Sequence, residues 1–245
     1  MFVIYGRNPV REALLSGTWD VKTVLVAREG GDARLSGILD LARQKGVSVE
    51  YRQKKEMDEL AAGGAHQGVV ARCSEYRYAA ADDLLGPAVE TGGILILLDG
   101  LSDPRNLGSI LRTAHCYGVR GVLLPRDRSV RVTAAVMKAS SGALLHVPVA
   151  PVVNLARVLD DMKDRGFWIY GADPKAGVDP RKIDFSGPVG IVFGSEGKGM
   201  RPLVRNKCDA LVTLPMSGGF DSLNVSVAAG IFLYEVFRSR AERTI

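Results

Sequence analysis

Apolar positions along this 245-residue chain follow two rhythms: short runs of aliphatic and β-branched residues, and stretches where apolar side chains recur every three or four residues. The first rhythm predicts strands and the second amphipathic helices. Within the first 75 residues, the runs VKTVLVA (21–27) and VSVEY (47–51) have strand composition. Leu35, Ile38, Leu39 and Ala42 recur at helical spacing between them until Gly46 stops the helix, and a further strand is expected at 68–73. Residues 76–91 (YRYAAADDLLGPAVET) shift to alanine, acid and Gly-Pro, which reads as a linker with at most a short helix. From 92 onward, apolar runs at 94–98, 121–124, 144–149, 167–170, 189–193 and 210–214 alternate with helical stretches. That alternation predicts an α/β domain with a largely parallel sheet covered by helices on both faces. The organisation is therefore a small α/β unit over 1–75, a linker over 76–91 and a larger domain over 92–245, with no repeat or low-complexity segment.

Three segments share the form of an apolar strand running through small polar residues into a helix, the arrangement that makes ligand crevices at strand ends. The first is LDGLSDPRNLGSILRTAHCYG (98–118). Asp103-Pro104-Arg105-Asn106 reads as a turn with Asn106 capping the helix, Leu107, Ile110, Leu111 and Ala114 as its apolar stripe, and Gly118 as its stop. Arg112 falls between apolar positions, where a charged group needs a carboxylate such as Glu196 or a phosphate. The second segment, IVFGSEGKGM, invites a phosphate-binding reading that fails on spacing: Lys198 is followed by Gly199, not Ser or Thr, and neither GxxxxGK[ST] nor GxGxxG is present. Glu196 in that loop favours a neutral or cationic ligand. In the third, LPMSGGFDSLNVSVAAG, Asp221 or Ser222 is the expected cap of a final helix running from Leu223 to about Arg238. That helix is apolar nearly all round, which implies burial from several sides, and a dimer interface is one candidate for such a side.

Composition narrows the classes. Forty-seven per cent hydrophobic and 24% charged residues suit a soluble globular protein. The N-terminus lacks the basic start and long apolar run of a secretory signal, and no apolar stretch approaches the ~20 residues that span a bilayer, so a cytoplasmic protein is expected. Cys73, Cys116 and Cys208 form no CxxC, and His66, His115 and His146 show no ligand spacing, so neither a disulfide framework nor a metal site is expected. The formal charge of +5 resides mainly in 92–245, where Arg120, Arg126, Arg128, Arg131 and Lys138 have only Asp127 among them. This is either a local positive field or a solvated basic face.

Asn106 and Arg112 in NLGSILRTA, Glu196 in FGSEGKGM, and Ser222 and Asn224 in SLNVSVAAG resemble, in order and spacing, the motifs of the SpoU (TrmH-like) branch of the SPOUT methyltransferases. The likeness covers essentially the whole chain. YGRNPVREALLSG and HQGVVA are similar to the N-terminal RNA-binding domain of bacterial enzymes that methylate a ribose of large-subunit ribosomal RNA. The resemblance implies methyl transfer from S-adenosylmethionine to a ribose 2′-hydroxyl, most naturally that of a guanosine in 23S ribosomal RNA. It also implies a homodimer, a deep C-terminal trefoil knot holding the cofactor, and no metal. It points to Arg112, Asn106, Glu196, Ser222 and Asn224 as catalytic residues, and to Gly194, Glu196, Gly197, Leu214, Met216, Ser222, Leu223 and Asn224 as cofactor contacts. Two alternatives are a transfer-RNA 2′-O-methyltransferase of the same type and a non-catalytic RNA-binding or ribosome-assembly protein on the same fold.

Overall fold

A computed structural model of the chain describes residues 1–28, 33–175, 177–218 and 221–242. Its elements, in chain order, begin with β1 (Phe2–Tyr5), α1 (Arg7–Ser16), β2 (Val21–Ala27), α2 (Ala33–Gln44), β3 (Ser48–Arg52), α3 (Lys54–Leu60) and β4 (Val69–Cys73). They continue with α4 (Ala81–Glu90), β5 (Ile94–Asp99), α5 (Pro104–Cys116), β6 (Gly121–Pro125), α6 (Ala134–Ala139), β7 (Val149–Val152) and α7 (Leu155–Asp164). The last are β8 (Trp168–Ala172), β9 (Val189–Gly194), α8 (Pro202–Asn206), β10 (Ala210–Val212) and α9 (Val225–Ala241). The chain forms two compact units, Met1–Arg77 with Val132–His146, and Tyr78–Arg131 with Val147–Ile245.

The first unit carries a four-stranded sheet ordered β1-β4-β2-β3, with β4 antiparallel to β1 and β2, and β3 parallel to β2. Leu25 and Val70 pack on Met57 of α3, and α1 buries Pro9, Val10, Ala13 and Leu14. The sequence pattern reveals β2, α2, β3 and β4 but not β1, a strand of four residues, nor the helices α1 and α3. Two motifs, YGRNPV and HQGVVA, meet at the start of α1. Gly6 stands at φ +96 and offers no side-chain cap, so the Gln67 side chain takes that role, its Oε1 accepting the Arg7 N–H at 3.1 Å. Gln67 does so from a left-handed backbone (φ +56), with buried His66 beside it accepting the Gly68 N–H on Nδ1 (3.1 Å) and meeting Asp58 through Nε2 (3.1 Å). Val132–His146 completes this unit: α6 packs on β1, Lys138 Nζ reaches Gln67 Oε1 at 3.2 Å and lies 5.9 Å from the Tyr5 ring centre, and His146 meets Glu12. A run assigned from sequence to the 92–245 part thus packs with the first sheet. Residues 144–149, expected as a strand, begin as a 3-10 turn after left-handed Gly142, with Pro148 deferring β7 to Val149.

The second unit is a wholly parallel six-stranded sheet ordered β10-β8-β9-β5-β6-β7. Burial on both faces accounts for the unbroken apolar runs of its central strands. Leu95 and Leu97 of β5 point to a core made with α4 and α7 through Leu84, Leu85, Leu155 and Leu159. On the other face Phe193 of β9 meets Phe232 of α9, the ring centres 5.9 Å apart. The stretch read as a linker over 76–91 is therefore largely structural, because α4 buries Leu84, Leu85 and Ala88 despite its internal Pro87. Among the described residues no helix is long and apolar enough to cross a membrane.

Candidate active site at the strand ends

Strand order reverses between β5 and β9: successive strands β5, β6 and β7 proceed to one side, while β9, β8 and β10 lie on the other. Such a switch opens a crevice outside the carboxyl ends of the strands. There, Asp99 ends β5 with its carboxylate buried. Its Oδ2 accepts the Arg201 N–H at 2.7 Å, and its Oδ1 accepts from Arg201 Nε (2.7 Å) and Nη2 (2.6 Å). This pins the end of the loop that leaves β9. The loop is closed on itself: Ser195 and Gly199 exchange backbone hydrogen bonds of 3.0 and 2.9 Å, with Gly197 and Gly199 at positive φ. Gly194 must be glycine, because a Cβ there would stand 2.2 Å from the Gly199 carbonyl carbon. Glu196 is held between these fixed points.

The Glu196 carboxylate joins the three sequence segments. Its Oε1 accepts from Asn106 Nδ2 and from Asn224 Nδ2, both at 2.8 Å, and Asn224 Nδ2 also reaches Asn106 Oδ1 at 3.1 Å. Its Oε2 has no hydrogen-bond partner among the described residues. Two capping expectations are corrected here. Asp103, not Asn106, caps α5 by accepting the Arg105 N–H at 2.7 Å, which leaves Asn106 in the first turn with its side chain buried and turned to Glu196. Asn224, not Asp221 or Ser222, caps α9, its Oδ1 accepting the Ser226 N–H (2.9 Å) and hydroxyl (2.6 Å). Asn224 therefore stands just before the helix, where its weak interior propensity costs nothing.

A cleft of about 480 Å³ opens beside this junction. Gly194, Glu196, Gly197, Leu214, Met216, Ser222, Leu223 and Asn224 all line it. So do Ala172, Asp173, Pro174 and Lys175 at the end of β8, which the sequence reading overlooked although WIYGADP also runs from an apolar strand into a turn. Val212, Leu214, Met216 and Leu223 make apolar walls, and Asp173, Glu196 and Asp221 against Lys175 give the lining an acidic balance. The segment entering the cleft from β8 lies along β10: Val178 N–H donates to Leu211 (2.8 Å) and Thr213 N–H to Val178 (3.1 Å). A Cβ on Gly177 would fall 2.6 Å from the Leu211 carbonyl oxygen.

Arg112 is elsewhere. It is exposed on α5, outside the cleft lining, and it does not pair with Glu196. The six residues from Asn106 to Arg112 turn the helix through about 600°, so the two side chains leave it roughly 120° apart. Burial on α9 is also one-sided: Val225, Ala229, Phe232, Leu233 and Val236 are buried, while Val227, Ile231, Tyr234 and Phe237 are 50, 40, 49 and 50% exposed. Among the described residues no group of three His, Cys, Asp or Glu side chains is placed to hold a metal ion.

Residues 93–234, which contain all three segments of the junction, match the model of the SpoU rRNA Methylase family. The chain belongs to that family. Residues 3–79 match a second model, RNA 2′-O ribose methyltransferase substrate binding. YacO of Bacillus subtilis (strain 168), by name a TrmH family tRNA/rRNA methyltransferase, is 45% identical over 239 residues, covering 97% of this chain and 95% of YacO. Among solved structures, the SpoU methyltransferase AviRb of Streptomyces viridochromogenes in complex with the cofactor AdoMet is 27% identical. It has a TM-score of 0.82, with 98% of this chain and 91% of AviRb covered. An AdoMet-bound rRNA methyltransferase of Sinorhizobium meliloti is likewise 27% identical, with a TM-score of 0.80, 97% of this chain and 87% of that one covered. The SpoU assignment thus extends over both units of the chain.

Proposed function

We propose that this SpoU family member uses S-adenosylmethionine to methylate a ribose 2′-hydroxyl of ribosomal RNA, with a guanosine of the large-subunit RNA as the target. The observation that carries this reading is the Asn106–Glu196–Asn224 junction beside a cleft with apolar walls and acidic lining. Those walls suit an adenosine, the free edge of Glu196 suits a cationic group, and the cleft volume falls within the ~300–1,000 Å³ usual for small-molecule sites. Gly194, Gly197, Leu214, Met216, Ser222 and Leu223 hold the cofactor alongside Glu196 and Asn224. Bound there, the cofactor supplies a methyl group on a cationic sulfonium. The chain's own residues orient the sugar so that its oxygen meets that carbon in line, and keep competing water out. The hydroxyl proton leaves to an adjacent phosphate or to water, because a guanidinium, which stays protonated, is a poor base. Arg112 instead binds the phosphate and stabilises negative charge developing on the oxygen.

Since Arg112 lies outside the cleft of its own chain, it acts in a homodimer in which a second copy covers the exposed side of α9, the helix whose first turn lines the cleft. The cofactor cleft belongs to a trefoil knot in this reading, supported by the passage of residues 177–178 against β10. A ribosomal rather than transfer-RNA substrate is favoured by the full-length likeness to an rRNA methyltransferase and by the separate first unit, which recruits the RNA.

The test is incubation with labelled S-adenosylmethionine and undermethylated ribosomal RNA, followed by alkaline cleavage. A 2′-O-methyl blocks the internal attack that breaks the backbone, so one protected position is expected, and label in the RNA without protection would refute ribose methylation. Arg112→Ala should leave cofactor affinity nearly intact and lower turnover by about 10²-fold or more. Mixing inactive Arg112→Ala and Glu196→Gln chains should restore part of the activity, whereas no recovery in verified mixed dimers would place Arg112 outside the partner's cleft.

A further inference from the structure

Four arginines at the carboxyl edge of the parallel sheet are left unused by this chemistry. Arg105 stands in the first turn of α5, and Arg126, Arg128 and Arg131 lie in the loop that follows β6; all four are exposed. Among the described residues their one ion pair is a loose one between Arg126 and Asp127 at 3.9 Å, while the Asp103 carboxylate is occupied in capping α5. The loop carrying three of them is held firmly. Arg126 N–H donates to Val152 at the end of β7 (2.8 Å), Val130 N–H donates to Leu101 beyond β5 (2.7 Å), and the Ser129 hydroxyl reaches the same carbonyl (3.2 Å). Between these ties Arg128 adopts a left-handed backbone, φ +56, in which glycine or asparagine is usual and a long side chain is strained. Strain at a rigid, solvent-facing position marks a side chain retained for something other than folding.

From this arrangement we infer that Arg105, Arg128 and Arg131 grip the phosphodiester backbone of the RNA beside the nucleotide being methylated. The inference rests on the proposed function and assigns the catalytic unit its own RNA contact, separate from the substrate-binding unit. All strands of the sheet are parallel, so these loops share the edge on which the cleft opens. β6 lies two strand spacings from β9, about 10 Å, which sets the arginines over nucleotides flanking the one at the cleft. Guanidinium forks suit phosphate oxygens and carry no base preference.

The test uses the full chain, S-adenosylmethionine and a labelled loop fragment of large-subunit ribosomal RNA. Affinity is measured by anisotropy across a range of salt for the parent and for the triple variant Arg105→Gln, Arg128→Gln, Arg131→Gln. Each lost phosphate contact to a single strand lowers the slope of log affinity against log salt by about 0.7, so the triple variant should be shallower by about 2. The matching triple lysine variant should recover most of that slope, and cofactor affinity by calorimetry should be unchanged in both. Arg128→Gly should bind RNA more weakly without any fall in Tm. An unchanged salt slope, a triple variant that sediments differently from the parent, or a lower Tm in Arg128→Gly would each overturn the inference. Failure of the parent to bind S-adenosylmethionine or methylate RNA would count against the enzymatic reading instead, since the salt slope is read without turnover.

Discussion

The turn formed by His66, Gln67 and Gly68 in the first unit and the junction of Asn106, Glu196 and Asn224 in the second are both built from polar side chains beside a helix start. They differ in where those side chains spend their hydrogen bonds. Gln67 and His66 face backbone amides of their own unit: one caps α1, and the other receives the Gly68 N–H while bonded to Asp58. The junction residues bond chiefly to one another across 28, 90 and 118 positions of sequence, and leave Glu196 Oε2 open. Polar groups that satisfy backbone sustain a fold; polar groups that hold each other at a cleft wall and keep an edge free are arranged for a ligand.

That distinction breaks most readily at Glu196. Glu196→Gln should cut methyl transfer to RNA by about 10²-fold or more and weaken S-adenosylmethionine binding, with Tm nearly unchanged, as filter-binding and calorimetry would measure. Full activity in this variant would remove the junction from the chemistry. Asn224 sharpens the comparison because it serves both purposes. Asn224→Asp keeps the α9 cap but loses the amide donors and sets a second carboxylate against Glu196, so cofactor affinity should fall about tenfold while the helix is retained. Asn224→Ala should also cost about 1 kcal/mol of stability for the lost cap. In the first unit, His66→Ala should destabilise by about 2 kcal/mol in denaturant unfolding with no change in cofactor affinity. A cofactor effect from His66 would show the two regions to be coupled.

The smallest effect concerns the thiols. Burial, with Asp20 near Cys73 and Asp209 near Cys208, pushes both thiols up to about 12, whereas Cys116 is exposed. Iodoacetamide at pH 8.5 should therefore modify Cys116 alone until the protein unfolds. Because the two folded values lie above the ordinary 9.0, their contribution to stability is complete below pH 9 and is lost as pH rises from 9 towards 12. Rapid labelling of Cys73 in native protein would contradict its burial.

Much of the second unit was legible because a parallel sheet buried on both faces writes each strand as an unbroken apolar run. The first sheet was less so, since β1 is only four residues long and, apart from buried Ile4, half-buried. α4 hid behind Gly86-Pro87, a pair that signals a turn yet sits near the end of a helix whose Leu84, Leu85 and Ala88 are buried. At the site, the family resemblance pointed to Gly194, Glu196, Gly197, Leu214, Met216, Ser222, Leu223 and Asn224, all of which line the cleft, but not to the end of β8 or to the hydrogen bonds across the junction. Asn106 and Asn224 both carry a helix-cap signal, and only tertiary packing makes one a cap and turns the other inward. The direction of Arg112 depended on the rotation of α5, which local spacing does not reveal.

The order of strands has a bearing on synthesis. β9 lies between β5 and β8, so the middle of the second sheet stays open until synthesis has passed Val189, and Asn224 arrives later still. Pairings this distant form slowly. Residues 3–79, the part matched to RNA substrate binding, and then Val132–His146, which completes their unit, are therefore made before the last walls of the cleft, Asp221 to Asn224.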